Sequence, residues 1–203
     1  MLPERNLTAM QGRMRITAGL VLVNILFYIF LAYRSNNFLQ IDDSLMMKYG
    51  LYASGSYYQL VTNMFAHFDI SHLGYNMVFL LIFGARAEEI YGGKILAALY
   101  LVCGAFASLI SVLVHPLGTV SAGASGAIFG ILGAVLVAQR NIYPSGLKTS
   151  LIYGFVFFAL AAATGFLAHL VGLVLGFLIG YSITRDWYPE DEKESFWNNC
   201  RRV

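Results

Sequence analysis

Ser125 is the side chain in this sequence that could most directly act as a nucleophile. It lies in the small-residue string SAGASGA, residues 121–127, at the start of an apolar run. If a helix begins here, its free backbone N–H groups and its dipole favour negative charge beside Ser125, as a tetrahedral oxyanion requires. The string also has a purely structural interpretation, because four small residues spaced by four would form a helix-packing stripe: Gly126, Gly130, Ala134 and Ala138.

His169 is the side chain that could serve as the general base. It is flanked by apolar residues in the string FLAHLVG, residues 166–172. Glycines follow it at spacings of 3, 7 and 11, which place them on the same helix face: Gly172, Gly176 and Gly180. Such a face would pack against the stripe that follows Ser125 and bring the two side chains together. The alternative is a core histidine that is hydrogen-bonded to a backbone carbonyl.

His67, His72 and Asn76 form a third polar group, with spacings of five and four residues. His72 and Asn76 would lie one helical turn apart on the same face, and as hydrogen-bond donors they could complete an oxyanion hole. Metal binding by His67, His72 and His169 is the alternative, but neither a His-Glu-x-x-His pattern nor a converging carboxylate accompanies them. We therefore predict neither a metal nor a cofactor.

The composition places these side chains inside a membrane protein. Of the 203 residues, 58% are hydrophobic and 12% are charged, with a mean hydropathy of +0.66. A water-soluble domain of this size could not cover itself with polar surface. The net charge of +2 forms no basic stripe, so nucleic acid is not predicted as a partner. Cys103 and Cys200 provide neither a disulfide framework nor a zinc site.

Six apolar runs predict an all-α bundle of six membrane-spanning helices. A spanning helix needs roughly 20 apolar residues. The long run from 147 to 184 is divided at residues 163–165, because 38 residues exceed one ordinary span. The six predicted spans are residues 14–33, 73–90, 94–114, 125–139, 147–163 and 167–184.

The basic residues predict that both termini are cytoplasmic, since Lys and Arg stay on that side. Only Arg34 and Lys48 fall on the predicted outside. Eleven fall inside: Arg5, Arg13, Arg15, Arg86, Lys94, Arg140, Lys148, Arg185, Lys193, Arg201 and Arg202. The chain is thus divided into a cytoplasmic segment 1–13, a six-span domain 14–184 with an outer loop 34–69, and a cytoplasmic tail 185–203. The first span is expected to act as an uncleaved anchor.

Other polar residues receive structural interpretations. Residues 45–58, in the outer loop, are predicted to lie in the membrane interface. Asn24, Cys103 and Ser108 lie within apolar runs and are interpreted as packing residues. The charged residues 86–94 are predicted to form a cytoplasmic turn between spans two and three, with hydrogen bonds to neighbouring helix ends.

Three patterns in register resemble the rhomboid family of intramembrane proteases. They are His-x4-His-x3-Asn, Gly-x-Ser-Gly and Ala-His-x2-Gly-x3-Gly, and the resemblance extends from about residue 57 to 182. The matching residues are His67, His72, Asn76, Gly123, Ser125, Gly126, Ala168, His169, Gly172 and Gly176.

This resemblance implies a six-span serine endopeptidase of the bacterial cytoplasmic membrane. It implies a Ser125–His169 dyad without an aspartate, and Phe129 packed against His169. The implied oxyanion hole combines the Ser125 amide with His72 and Asn76. The implied substrates are single-span membrane proteins, which enter from the lipid beside span five and are cut near their outer membrane boundary.

Two departures from the family pattern accompany the resemblance. The loop before His169 is expected to be much shorter than in relatives, because residues 147–164 must supply almost all of both span five and this loop. Tyr57-Tyr58-Gln59 stands where relatives often carry a tryptophan. The alternative functions are an inactive rhomboid-like binding or quality-control protein and a small transporter or channel. The first would not require Ser125 and His169 together, and the second predicts a polar path through the bundle.

Overall fold

The computed structural model describes residues 14–185 except 115, 117, 143 and 162–164. Only the backbone is described for residues 139–142, 144–147, 149, 160 and 161. The predicted N-terminal segment 1–13, nearly all of the predicted tail and Cys200 therefore lie outside the described residues.

The described chain is helical, and its strand-like pairing is limited to two isolated bridges, as the all-α prediction requires. Four helices (α1, α4, α5 and α8) are long and apolar enough to cross a membrane, and shorter apolar helical segments cover Ser125–Ala138 and Ser150–Ala159. A count of six spans stays a prediction. The helices are α1 Arg15–Ser35, α2 Asp43–Tyr49, α3 Gln59–Thr62, α4 Ile70–Tyr91, α5 Gly93–Val114, α6 Ser125–Ile142, α7 Pro144–Ala161 and α8 Phe166–Thr184.

Helix α4 extends beyond its predicted bounds at its N-terminus because Asp69 caps it. The Asp69 carboxylate accepts a hydrogen bond from the backbone N–H of His72 at 2.8 Å, which satisfies an otherwise free amide of the first turn. The helix begins at Ile70, so His72 lies in its first turn. The C-terminus reaches Tyr91, where Gly92 adopts a φ of +82° and ends the helix.

The outer loop is organised by Gln59, which is buried although it is polar. Its Oε1 accepts a hydrogen bond from the Ser56 backbone N–H at 2.9 Å. Its Nε2 donates to the backbone carbonyls of Met47 at 2.8 Å and Lys48 at 3.0 Å. The Gln59 amide therefore connects α3 to the C-terminal end of α2.

Helices α6 and α8 pack with their backbones in close approach. A methyl group on Gly172 would overlap the carbonyl oxygen of Gly126, and one on Gly176 would overlap that of Gly130. A methyl group on Gly180 would lie 2.8 Å from Ala134 Cα. The predicted contact between the two small-residue stripes is therefore confirmed, and only glycine allows it on the α8 side.

The missing side chains of the predicted stripe glycines of α6 make room chiefly for α5. A methyl group on Gly126 would lie 2.7 Å from the Cβ of Ala107 in α5, and one on Gly130 would overlap Cys103. Gly133, which is outside the predicted stripe, faces the backbone of α8 at Leu173. Helix α6 is thus held closely between α5 and α8, with separate glycines serving each contact.

Helix α7 is anchored by Phe157, whose side chain is completely buried. Its ring centroid lies 4.5 Å from that of Phe79 in α4 and 4.6 Å from that of Phe129 in α6. Helix α7 ends at Ala161 and α8 begins at Phe166, and residues 162–164 between them lie outside the described residues. The long apolar run is therefore divided between two helices, as predicted, while residues 163 and 164 of the predicted division and most of the predicted short loop lie outside the described residues.

Glu88, in the last turns of α4, attaches the N-terminus of α1. Its carboxylate accepts hydrogen bonds from the backbone N–H groups of Ile16 at 3.0 Å and Thr17 at 2.8 Å, and from the Thr17 hydroxyl at 2.7 Å. Free amides at a helix N-terminus attract negative charge. The predicted hydrogen bonding to a neighbouring helix end is therefore present, although Arg86, Glu88 and Glu89 lie in the helix and not in a turn.

We expect Glu88→Ala to lower the free energy of unfolding by about 1–2 kcal/mol, because it removes a charged acceptor from three donors. Unfolding in mixed micelles would measure the change. Glu89→Ala is the matched control, since Glu89 makes an exposed ion pair with Arg86 and should cost less than about 0.5 kcal/mol. Equal losses for the two variants would contradict the attachment of α1 by Glu88.

Candidate active site

Ser125 and His169 lie within hydrogen-bond distance of each other. The Ser125 Oγ is 2.9 Å from the His169 Nε2. Ser125 is the first residue of α6, and His169 lies in the first turn of α8, where its backbone N–H donates to the Gly165 carbonyl at 3.1 Å. The close packing of α6 on α8 brings the two helix N-termini side by side. In this geometry the neutral imidazole can accept the serine proton through Nε2.

His169 is oriented by an aromatic ring and not by a carboxylate. Its Nδ1 is buried and has no hydrogen-bond partner among the described residues. The Phe129 ring stacks on the imidazole with centroids 4.6 Å apart and an interplanar angle of 29°. Phe129 follows Ser125 by one helical turn, so one face of α6 presents both the hydroxyl and the stacking surface. The packing of Phe129 against His169 that the resemblance implied is present.

The residues before Ser125 form a tight turn against His72. Gly123 has a φ of +115°, and a methyl group there would lie only 2.7 Å from the His72 Nε2. Both facts require glycine at this position. The close approach places the His72 ring directly beside the backbone that leads into Ser125, as an oxyanion-hole donor would need.

Two of the backbone amides beside Ser125 are already used. The Gly123 N–H donates to the Asn63 carbonyl at 2.8 Å, and the Ala124 N–H donates to His67 Nε2 at 3.5 Å. The Ser125 N–H is the first of the helix and has no acceptor within the helix. It is therefore the backbone donor that can face a reacting carbonyl.

Asn76 is completely buried one turn after His72. One N–H of its amide donates to the His72 carbonyl at 2.8 Å, and its Oδ1 has no partner among the described residues. The second N–H of the amide stays available for a ligand. The structure thus leaves unused hydrogen-bonding capacity on Asn76, and it presents His72 next to Gly123.

His67 supports the turn as a neutral ring. Its Nδ1 lies 3.2 Å from the Phe65 carbonyl, which fixes the proton on Nδ1 and leaves Nε2 to accept the Ala124 N–H. Complete burial and the neighbouring His72 lower the pKa of His67 to about 3, and the opposing effects of the Phe65 carbonyl and Asp69 do not compensate. Protonation would remove the acceptor for Ala124.

His67 should make stability depend on pH. Its pKa is about 3 in the folded protein and about 6.5 when exposed, so the unfolded chain binds the proton first. The stability is complete above about pH 6.5 and falls as the pH decreases toward 3, by at most about 1.4 kcal/mol per pH unit.

Unfolding measured at pH 7, 5.5 and 4 for the native chain and His67→Gln would test this expectation. The variant should be less stable at pH 7 but should lose less stability on acidification. Parallel pH dependences would show that His67 does not titrate in this way.

Sequence reasoning missed part of this site. The sequence pattern does not indicate Asn63, and it favours a packing role for Ser108. In the structure the Ser108 hydroxyl donates to Asn63 Oδ1 at 2.6 Å, and the Asn63 carbonyl accepts the Gly123 N–H. A polar side chain at membrane depth is costly and needs a partner, so the sequence does indicate that Ser108 is hydrogen-bonded. The partners themselves are distant in sequence and could not be inferred.

Comparison with known proteins assigns the family. The family model described as the Rhomboid domain matches residues 54–186, which include Ser125, His169, His72 and Asn76. The chain belongs to the rhomboid family. Rhomboid proteins are multi-pass membrane proteins and are generally serine proteases, as the apolar helices and the names of the relatives also indicate.

Three relatives illustrate the range of similar rhomboid proteins. RHOMBOID-like protein 6, mitochondrial, of Arabidopsis thaliana is 32% identical over 83% of this chain and 58% of its own length. Rhomboid protease GluP of Bacillus subtilis is 34% identical over 63% of this chain and 26% of its own. Rhomboid-like protease 3 of Toxoplasma gondii is 31% identical over 88% of this chain and 71% of its own.

The chain spans about half the length of several of these rhomboid relatives. One relative is named as mitochondrial and another as chloroplastic, so a bacterial cytoplasmic membrane stays a prediction for this chain. The three patterns that resemble the family all lie within the matched rhomboid domain.

Proposed function

We propose that this rhomboid protein is an intramembrane serine endopeptidase that cleaves single-span membrane proteins near their outer membrane boundary. The observation that carries the proposal is the 2.9 Å separation of Ser125 Oγ and His169 Nε2 at adjoining helix N-termini. A nucleophile within hydrogen-bond reach of a base is the arrangement that covalent catalysis needs.

In the proposed reaction His169 Nε2 takes the Ser125 proton as the serine oxygen attacks a peptide carbonyl. The resulting oxyanion accepts hydrogen bonds from the Ser125 N–H, His72 and the free N–H of Asn76. The imidazolium then protonates the leaving amine, and an acyl-enzyme remains. Water, deprotonated by His169, attacks the ester and releases the carboxylate product and the serine hydroxyl.

The stacking on Phe129 supports a two-residue mechanism. A third group that orients the base is usual in serine hydrolases. Here the ring of His169 is confined by the stacked Phe129 and by a helix that cannot shift, since Gly172 is in contact with the α6 backbone. Supporting roles for Gly126, Gly172 and Gly176 follow from this packing, and those of His67 and Gly123 follow from the turn.

We propose that substrates enter from the lipid beside α7. Apart from Phe157 and the contact of Gly154 with Leu132, much of this helix faces outward, and Phe155 is 72% exposed. A substrate helix must still unwind, because its carbonyls are otherwise hydrogen-bonded. Membrane proteins with helix-weakening Gly or Pro near the outer boundary are the expected partners.

We also propose a membrane topology for the chain. The positive-inside distribution supports cytoplasmic termini and a site near the outer face of a bacterial cytoplasmic membrane. The segments 1–13 and 185–203 would then flank the six-span domain 14–184 on the cytoplasmic side.

Cleavage of model single-span substrates by the purified chain in liposomes tests the function. Product masses should place the cut near the outer boundary, and a fluorophosphonate should modify Ser125 and no other serine. If several substrates stay intact, or if the label maps elsewhere, the proposal is wrong. An inactive rhomboid-like binding protein would give intact substrate with retained binding.

A further inference from the structure

The turn before Ser125 rests on a short segment that precedes α4. We call residues 63–67 the cradle segment. Its Asn63 carbonyl accepts the Gly123 N–H at 2.8 Å, and its His67 Nε2 accepts the Ala124 N–H at 3.5 Å. Both acceptor residues are completely buried. The backbone N–H groups of the two residues immediately before the nucleophile are therefore held by the cradle segment, while the Ala124 carbonyl accepts the Ile128 N–H of α6.

The cradle segment is in turn connected to α5 by two hydroxyl groups. The Ser108 hydroxyl donates to Asn63 Oδ1 at 2.6 Å, and the Tyr100 hydroxyl donates to the Met64 carbonyl at 3.0 Å. Ser108 and Tyr100 are buried and lie two helical turns apart, so both reach the segment from one face of α5. Burying a hydroxyl costs free energy unless it is hydrogen-bonded, and both hydroxyls are satisfied by the cradle segment.

Asn63 is fixed from three directions. Its Nδ2 donates to the Gln59 carbonyl within its own helix end, its Oδ1 accepts from Ser108, and its backbone carbonyl accepts from Gly123. Loss of the Ser108 hydroxyl would leave a buried amide oxygen without a donor, and the amide would have to turn toward another partner. We expect a displaced Asn63 side chain to disturb the packing of the cradle segment, and with it the position of the backbone carbonyl that accepts the Gly123 N–H.

We infer that Ser108 and Tyr100 are positioning residues for the nucleophile. They act through the cradle segment to set the distance between Ser125 Oγ and His169 Nε2, and neither contacts the substrate. The inference rests on the proposed protease function. It predicts that losing either hydroxyl slows the chemical step, because small misplacements of reacting groups are costly in rate.

The test compares Ser108→Thr with Ser108→Val, which have nearly the same shape and differ in the hydroxyl. The Val variant should lower kcat for a model substrate by about ten- to a hundredfold with little change in KM, and it should slow fluorophosphonate labelling of Ser125 to a similar extent. In the Thr variant, kcat and the labelling rate should both stay within about threefold of those of the native chain, because threonine keeps the hydroxyl donor.

Tyr100→Phe provides a second variant that keeps the ring and its packing on Phe65. This variant should also lower kcat while it changes KM little. Thr184→Val is the control, because it removes an equally buried hydroxyl that bonds only to the Gly180 carbonyl at the other end of α8. It should leave kcat unchanged even if the unfolding temperature falls.

The outcomes separate this inference from the proposed function. If the native chain cleaves substrate while Ser108→Val and Ser108→Thr have equal kcat, the hydroxyl does not position Ser125 and the inference is wrong. The inference would also be wrong if, across all four variants, the decrease in kcat were simply proportional to the decrease in unfolding temperature. If the native chain neither cleaves nor takes the label, the protease function is wrong and the inference is overturned with it.

Discussion

Ser125→Ala is expected to lower the rate of substrate cleavage by about 10⁴-fold or more, to the level of the uncatalysed background. The methyl group cannot attack a carbonyl, and no hydroxyl besides that of Ser125 is hydrogen-bonded to His169 among the described residues. The bundle should be unaffected, because among the described residues the Ser125 hydroxyl is hydrogen-bonded to His169 alone. Single-turnover cleavage of a model transmembrane substrate in liposomes, with the unfolding temperature measured in parallel, would give the ratio.

Ser54→Ala is the matched control for this variant, since Ser54 is an exposed serine of the outer loop. Its cleavage rate should equal that of the native chain. His169→Gln should reduce cleavage to a similar extent as Ser125→Ala, and the double variant should be no slower than either, because the two groups act as one unit. Residual cleavage by Ser125→Ala above that of the double variant would mean that another nucleophile acts.

Gly176→Val is expected to separate α8 from α6 and to remove both stability and activity. Any Cβ at residue 176 would overlap the backbone of Gly130, and a carbonyl oxygen in a helix cannot move aside. We expect the free energy of unfolding to fall by about 3 kcal/mol. Cleavage should fall with it even under conditions in which the chain stays folded, since displacement of α8 moves His169 away from Ser125. Unfolding in mixed micelles and cleavage at low temperature would measure the two effects.

Gly19→Ala and Gly74→Ala are the controls, because each is a helical glycine with no atom within 4 Å of the added methyl group. Both should change stability by less than about 0.5 kcal/mol or increase it slightly, as alanine favours the helix. If Gly176→Val were as stable as these controls, the close approach of α6 and α8 would not be a property of the folded protein.

The sequence allowed the helices of the site to be predicted because membrane helices have a simple signal. Apolar runs of defined length gave α1, α5 and α8 nearly to the residue. The glycines at 172, 176 and 180 indicated the face of α8 that meets α6, since only small residues permit such packing. The proximity of Ser125 and His169 followed from that face.

The polar supports of the site could not be predicted from the sequence. The hydrogen bond from Ser108 to Asn63 joins residues 45 positions apart, and the one from Ala124 to His67 joins residues 57 apart. Neither has a periodic pattern, and each depends on how α5 and α6 meet the loop before α4. The direction in which Gly126 and Gly130 face was also inaccessible, because a spacing of four defines a stripe but not the helix that covers it.

The unpartnered Nδ1 of His169 has a consequence for the energetics of a catalyst in hydrocarbon. A buried aspartate beside it would be a permanent anion, and moving such an ion out of water is expensive unless it is fully compensated. A hydroxyl and a neutral imidazole carry no charge at rest. The cation on His169 and the anion on the substrate form together in the same step, so the site remains electrically neutral as a whole throughout the proposed reaction. The protein can therefore hold this machinery among apolar helices without a standing charge to solvate.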